Sequence, residues 1–460
     1  MAPCARLARR SRLYRGGSVS FPLLVRDRQA LAGYRLVLVV AASAGLVSLP
    51  ASGHPGAAID TRPPAAVFVA PTGNDANLCT QAAPCKSLDR AYAVAQPGQT
   101  VDVAGGSYPG QSIKWRPGRD QAAQVVFRPT GKVTIEGDLR VYASGVHIAG
   151  QATGSITSWR SRSYSIVVTR DMAVLGDSAA QHPHNVTLEG IDGGSLGTYT
   201  SENVVVRDID AGPVVLSACN RPESKIGPNV DAELFTPRNI TWERVVVHGM
   251  DRDASAAQAG CHYGGLFIVS VSGLTIRESV FSENIVYNIQ VQNYVGTPAS
   301  NVTIQNSWFG CPVLAVYESA SKICNGQASI QFNASSTFSD WLIRYNSFSG
   351  SDAIHAGGGR ASFSNARFVG NAGKRPGNDI CGRAGVTYSR NAWIGATCGA
   401  TDTSITNPFV SVEPGQEDLR LVAGSGAIDA GDPSNTPSSD IDGQGRPQGS
   451  APDAGADERG

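Results

Sequence analysis

A nine-residue phrase returns along this chain. Gly273-Leu-Thr-Ile-Arg-Glu-Ser-Val-Phe281 is followed by Asn301-Val-Thr-Ile-Gln-Asn-Ser-Trp-Phe309. The register continues upstream in Asn239-Ile-Thr-Trp-Glu-Arg-Val-Val-Val247 and, in shorter form, in Asn185-Val-Thr-Leu-Glu189 and Asn203-Val-Val-Val-Arg207. Downstream, copies are expected at Asp340 to Phe348, Arg360 to Phe368 and Gly385 to Trp393. Alternate side chains of a strand face opposite ways, so positions two and four form one face and positions three and five the other. A strand this short cannot bury its apolar face alone, and copies spaced roughly 20 to 40 residues apart mark stacked units.

The intervening sequence is rich in Gly, Asn and Ser and shows no long helical period. The expected fold is all-β, a right-handed parallel β-helix with coils about 4.8 Å apart. Stacking predicts a buried column from the ninth position: Phe281, Phe309, Phe348, Phe368 and Trp393. It predicts an outer charged column from the fifth: Glu189, Arg207, Glu243, Arg277, Gln305 and Arg344. Such an exposed ladder contributes a few tenths of a kcal/mol per pair and is structural before it is catalytic.

With 460 residues, 52 Gly and 17% charged residues, the chain has the composition of a large, loop-rich globular protein. Residues 1–53 hold eight Arg and one acid, Asp27, which leaves a net charge of −7 beyond them. That balance excludes a polycation built for nucleic acid or anionic lipid. It also repels a polyuronate unless a cation such as Ca²⁺ intervenes.

Leu36 to Leu49 form an apolar run behind Arg35, followed by Pro50-Ala-Ser-Gly53. The run is short for a membrane span and reads as a secretory signal. Its basic leader is long, and initiation at Val25 would leave a signal of ordinary proportions. The expected organisation is a signal peptide over 1–53, a linker over 54–65, the β-helix with its N-terminal cap over 66–400, and a C-terminal cap or tail over 401–460. The mature chain is expected to be extracellular, monomeric and not inserted in a membrane. Setting Cys4 aside leaves eight cysteines, an even number in an exported chain. Sequential pairing of Cys79 with Cys85, Cys219 with Cys261, Cys311 with Cys324 and Cys381 with Cys398 is expected.

The mature chain begins Val67-Phe-Val-Ala-Pro-Thr-Gly-Asn-Asp75, then Ser87-Leu-Asp-Arg-Ala-Tyr-Ala-Val-Ala95, Pro97-Gly98, and Val101-Asp-Val-Ala-Gly-Gly-Ser-Tyr108. This order of strand, short helix, Pro-Gly and strand resembles the N-terminal cap of secreted bacterial right-handed β-helix proteins with the pectate-lyase-like fold. The tail, with Gly424-Ser-Gly-Ala-Ile-Asp-Ala-Gly431 and Asp440-Ile-Asp-Gly-Gln-Gly-Arg-Pro447, resembles the ends of bacterial surface β-helices. The resemblance implies a helix closing the first coil and, by analogy of fold, a long groove suited to polysaccharide or cell-surface glycan.

For cleavage chemistry, Asp231, Asp251, Asp253 and His262 form the best local constellation, carboxylates and a histidine on two neighbouring loops that could serve as acid and base. The plainer reading makes Asp251 and Asp253 turn residues and His262 a structural neighbour of a disulfide. A lyase needs a basic proton acceptor instead; Lys225, Lys322, Arg207 and Arg277 are the available residues. Asn288, Gln290, Gln292, Gln331, Asn333 and His355 are expected to face outward and to bond sugar hydroxyls, against the plainer reading of an ordinary polar surface. The sequence specifies no cofactor with certainty. Ca²⁺ is one candidate, with Asp429, Asp432, Asp440 and Asp442 as its acids. Two functions follow: a secreted protein that binds and cleaves an extracellular polysaccharide as lyase or glycoside hydrolase, or a non-catalytic adhesion module.

Overall fold

Each copy of the phrase builds a strand whose apolar positions turn inward, and each strand pairs parallel with the copy before it. A computed structural model describes residues 65–119, 123–212, 224–227, 235–249, 264–284, 286–293, 297–312, 328–350, 352–357 and 360–459, all within the compact unit Arg62–Gly460. Twenty-eight strands are joined into one continuous, parallel-paired system. This is a right-handed parallel β-helix with three strand stacks, here sheets I, II and III.

Sheet I holds the first half of each phrase, as in Ser272–Arg277, Ser300–Gln305, Trp341–Arg344, Ala366–Val369 and Val386–Ser389. Sheet II holds the second half, as in Val280–Ser282, Trp308–Phe309, Ser347–Phe348, Ala372–Lys374 and Ala392–Ile394. Sheet III comprises Met172–Leu175, Leu196–Tyr199, Ser224–Gly227, Leu266–Ile268, Tyr287–Val291, Ala328–Phe332 and Ile354–His355.

The first position of the phrase is Asn, Asp or Gly because the chain enters each strand in the left-handed region. Asn185, Asn203, Asn239, Gly273, Asn301, Asp340, Asn365 and Gly385 all have φ between 52° and 82°. The sixth position repeats this at the corner between sheets I and II: Asp208, Arg244, Glu278, Asn306, Tyr345 and Arg390 have φ between 47° and 53°. The seventh residue then offers its N–H to the next coil's seventh side chain. Val245 N–H donates to Ser279 Oγ, Ser279 to Ser307 Oγ, Ser307 to Asn346 Oδ1, Asn346 to Asn371 Oδ1, Asn371 to Asn391 Oδ1, and Asn391 to Asp402 Oδ1, at 2.9 to 3.2 Å. These Asn side chains are fully buried.

The expected charged column stands in register from Glu189 through Arg344. Arg207 reaches Glu189 at 2.9 Å, Arg277 reaches Glu243 at 2.6 Å, and Arg344 donates to Gln305. Burial pushes the Glu189 carboxyl up, but hydrogen bonds from His147 and Arg207 outweigh it and hold the group at about 2. The aromatic column needs one correction. Phe281, Phe309 and Phe348 stack at 5.2 and 4.8 Å, and Trp393 follows, but Gly373 stands between Phe348 and Trp393. Phe368 instead pairs with Ile343 and Tyr388 in the fourth-position file. The copy that begins at Asn365, not Arg360, is the one in register.

At the start of the stack, Leu88–Val94 (α1) is capped by Ser87 and buries Leu88, Ala91 and Tyr92 against the first coil. The tail does more than cap the far end. Thr403–Ile405 continues the last coil. The remainder runs back along sheet II, where the eighth-position side chains Val246, Val280, Trp308, Ala372 and Ala392 are apolar and are buried with Phe409, Leu419, Leu421, Ala454 and Ala456. Arg446 and Glu458, both wholly buried, pair at 3.0 Å, and the Arg446 guanidinium lies 4.9 Å from the Tyr345 ring centre. Cys79 with Cys85 and Cys381 with Cys398 are bonded as expected. Cys311 is disulfide-bonded, while Cys219, Cys261 and Cys324 lie outside the described residues.

Two outcomes follow. Asn371→Ala removes an acceptor and a donor from adjacent buried rungs, and urea unfolding should show a loss of about 2–4 kcal/mol. Burial raises the Asp457 carboxyl to about 6, above its value of roughly 3.9 in an unfolded chain. The native state therefore holds more protons between those values, and stability falls as pH rises from about 4 to 6. Asp457→Asn should flatten that slope in urea midpoints measured across the interval.

Candidate functional site

Sheet III carries polar side chains on successive coils. In register along it lie Lys225, Phe267, Gln290, Gln331 and His355. Alternation explains the direction: Ile289, Val291, Ile330, Phe332 and Ile354 enter the core, so their neighbours take the other face. Three of the expected sugar-binding residues, Gln290, Gln331 and His355, are thus brought into one file with the coil spacing. Lys225 Nζ lies 5.9 Å from both the Tyr199 and Phe267 ring centres.

The file ends in a charged cluster. His355 Nε2 is 2.5 Å from Asp352 Oδ2 and its Nδ1 is 3.7 Å from Asp379 Oδ1. Asp379 is itself positioned by the Ala356 N–H, which donates to Oδ2 at 3.0 Å. The three side chains keep 31% (His355), 37% (Asp352) and 22% (Asp379) of their surface exposed. The Asp352 hydrogen bond raises the His355 pKa above 6.5, against the opposing effect of burial. This arrangement presents an imidazole and two carboxyl groups to solvent, the groups that acid–base catalysis uses.

The remaining expected residues distribute unevenly. Asn288 is not available at the surface: although two residues from Gln290 on the same strand, it is fully buried, donating to the Gly310 carbonyl and accepting from Asn284. Gln290 and Gln331 are outward by alternation but only 4% and 5% exposed. Gln292 is half-buried and Asn333 is exposed. Asp231, Asp251, Asp253, His262 and Lys322 lie outside the described residues. In the chain, however, 228–234 directly follows the strand Ser224–Gly227, and 250–263 ends two residues before Leu266–Ile268. Arg207 and Arg277 are committed to the ladder on sheet I.

Sequence reading missed Asp352 and Asp379. The available signal was His355 flanked by Asp352 three residues earlier, in a short segment between two copies of the phrase. The tail acids proposed for Ca²⁺ use their oxygens otherwise: Asp440 accepts from the N–H groups of Asp442, Gln444 and Glu458, and Asp432 from Ser434 and Asn435. Among the described residues no group of three or more His, Cys, Asp or Glu is arranged to hold a metal ion. No described helix is long and apolar enough to cross a membrane.

No known family's sequence profile matches the chain, and no curated protein matches it. Solved structures do resemble it. Pectate lyase Pel9A is 16% identical, over 86% of this chain and 96% of its own, with a TM-score of 0.42. XylC in complex with xylose is 9% identical over 73% and 76%, at 0.38. A rhamnogalacturonan lyase is 10% identical over 75% and 91%, at 0.32.

The raised histidine gives a direct check. By NMR, His355 should titrate above an ordinary imidazole, and Asp352→Asn should bring it down. Because the folded value is the higher one, the stabilisation is fully present below about 6.5 and is lost as pH rises through the folded value.

Proposed function

We propose that the protein is exported and binds a polysaccharide along the outer face of sheet III, cleaving it with acid–base groups at that face. The observation that carries this reading is His355, partly exposed at the end of the sheet III file and held between Asp352 and Asp379. His355 and Asp352 are the proton-transfer pair of this reading, and Asp379 fixes the imidazole. Asp231, Asp251, Asp253 and His262 belong to segments that join the same sheet, and they are proposed as further catalytic contributors. Gln292 and Asn333 are proposed as flanking contacts. Export is supported by the disulfides, which persist in oxidising compartments.

The test is a panel of soluble polysaccharides, scored for new reducing ends and for the absorbance near 235 nm that unsaturated uronates give. Hydrolysis yields the first signal alone; elimination yields both. His355→Ala and Asp352→Asn should each lower cleavage by about 10²-fold or more, with the melting temperature checked in parallel. Retained cleavage in both variants would remove the catalytic assignment, and binding without cleavage in the wild type would leave an adhesion module.

A further inference from the structure

The turn that carries Asp379 also carries two glycines, and they differ in kind. Gly382 has a φ of 77°, in the left-handed region that favours glycine, whereas Gly377 is not in that region. What sets Gly377 apart is its neighbours. A Cβ at 377 would lie 2.9 Å from His355 Nε2, 3.0 Å from His355 Cδ2 and 3.0 Å from Asp379 Oδ1, well inside the roughly 3.5–4.0 Å of ordinary contact between carbon atoms. The space that a side chain would take there is filled by the edge of the imidazole and by the carboxylate beside it.

The main chain at this point is tied down on every side. Gly377 N–H donates to the Ile354 carbonyl at 2.8 Å, and the Gly377 carbonyl accepts from the N–H groups of Ile380 and Cys381, both at 3.1 Å. The Arg375 carbonyl accepts from Ala353 at 3.0 Å. Further along the turn, Tyr388 Oη donates to the Ile380 carbonyl at 2.8 Å and Arg383 Nη1 to the Asp379 carbonyl at 3.0 Å, and the disulfide from Cys381 to Cys398 closes it. The imidazole is held less firmly. Its short contact is with Asp352, and its side chain keeps 31% of its surface exposed.

We propose that Gly377 is a positioning residue, whose missing side chain makes the seat that sets His355 between Asp352 and Asp379. A methyl group at 377 displaces the ring and not the turn, because a partly exposed side chain can rotate while moving the turn breaks main-chain hydrogen bonds. Rotation draws Nε2 away from the Asp352 carboxylate and widens the 3.7 Å separation from Asp379. These two carboxylates are the charges that act on the ring, and the Asp352 hydrogen bond is the larger influence raising its pKa. That His355 transfers protons is the reading proposed above, on which the catalytic consequence rests; the position of the ring can be measured without it.

NMR titration of His355 in the full-length protein reads the seat directly. Gly377→Ala should lower the His355 midpoint toward that of an ordinary imidazole, and should change it little further when added to Asp352→Asn, because both variants act through the same contact. Gly382→Ala is the control: its Cβ would meet nothing within 4 Å, but the backbone is left-handed, so it should lower the melting temperature and leave the midpoint in place. Where Gly377→Ala itself melts low, adding His355→Ala should recover most of the loss, since the ring that the methyl strikes is gone. An unchanged midpoint in Gly377→Ala, an equal change in Gly382→Ala, or a melting loss that persists in the double variant would overturn the proposal. On a polysaccharide that the wild type cleaves, Gly377→Ala should lower kcat by about tenfold or more with KM little changed. A wild type that cleaves nothing removes the proton-transfer reading, and the titration still decides the seat.

Discussion

Every coil depends on how the chain turns from sheet I into sheet II. That corner is made by one residue in the left-handed region, and it leaves the following N–H inside the solenoid, where an unmet donor costs about 1–3 kcal/mol. The side chain of the next coil meets it, from Ser279 through Asn391 to Asp402. The consequence is directional. Each of these corners is completed by its successor, so the left-handed backbone at Arg244, Glu278 and Tyr345 persists in residue types that rarely adopt it. The last rung is closed by Asp402, whose second oxygen accepts from Trp393 Nε1. That carboxylate ties the end of the ladder to the end of the aromatic column.

Charge is handled differently on each flank. Along sheet I, Glu and Arg alternate at the fifth position in partial contact with water, so each pair is weakly stabilising and replaceable. Along sheet II the tail brings ionised groups into the interior. The Arg446 and Glu458 side chains have no exposed surface, and their attraction must offset the desolvation of both charges, helped by the carbonyls of Asp453 and Gly455, which accept from the guanidinium Nη1 and Nη2. Arg160 repeats the device at the margin, donating to Glu283 and Glu417, both about 5% exposed or less. These contacts bind an early hairpin, a middle coil and the tail into one unit.

Much of this was legible as sequence. The alternation of positions two to five specified strands, their outer charges and the parallel stack, because period and register are local properties. The tail was harder: an acid-rich, glycine-rich segment gives no periodicity, and its place along sheet II follows only once the apolar eighth position of distant coils is known. The copy at Arg360 was misread by five residues, since Arg360-Ala-Ser-Phe and Asn365-Ala-Arg-Phe both satisfy an apolar fourth position; the seventh-position Asn371 would have chosen between them. The same column of Ser279, Ser307, Asn346 and Asn391 stood in the written phrases without its hydrogen-bonding role being visible.

The three outer faces are not equally free to bind a polymer. Sheet I spends most of its third positions on Thr and its fifth positions on the ladder, whose Arg and Glu side chains pair with one another along the column. Sheet II is covered by the tail over its apolar length and by the hairpin over its acidic start. Sheet III differs because the connections that enter and leave it are the ones that vary in length, from two residues before Leu196–Tyr199 to segments such as 250–263. A solenoid tolerates insertions only where they do not interrupt coil-to-coil pairing, and functional side chains concentrate on such connections. The face beside them also holds His355 with its two carboxylates, and these keep more exposed surface than Gln290 or Gln331 in the same file. Corner geometry and the tail thus commit two faces to the scaffold, while the third is bordered by the connections that vary.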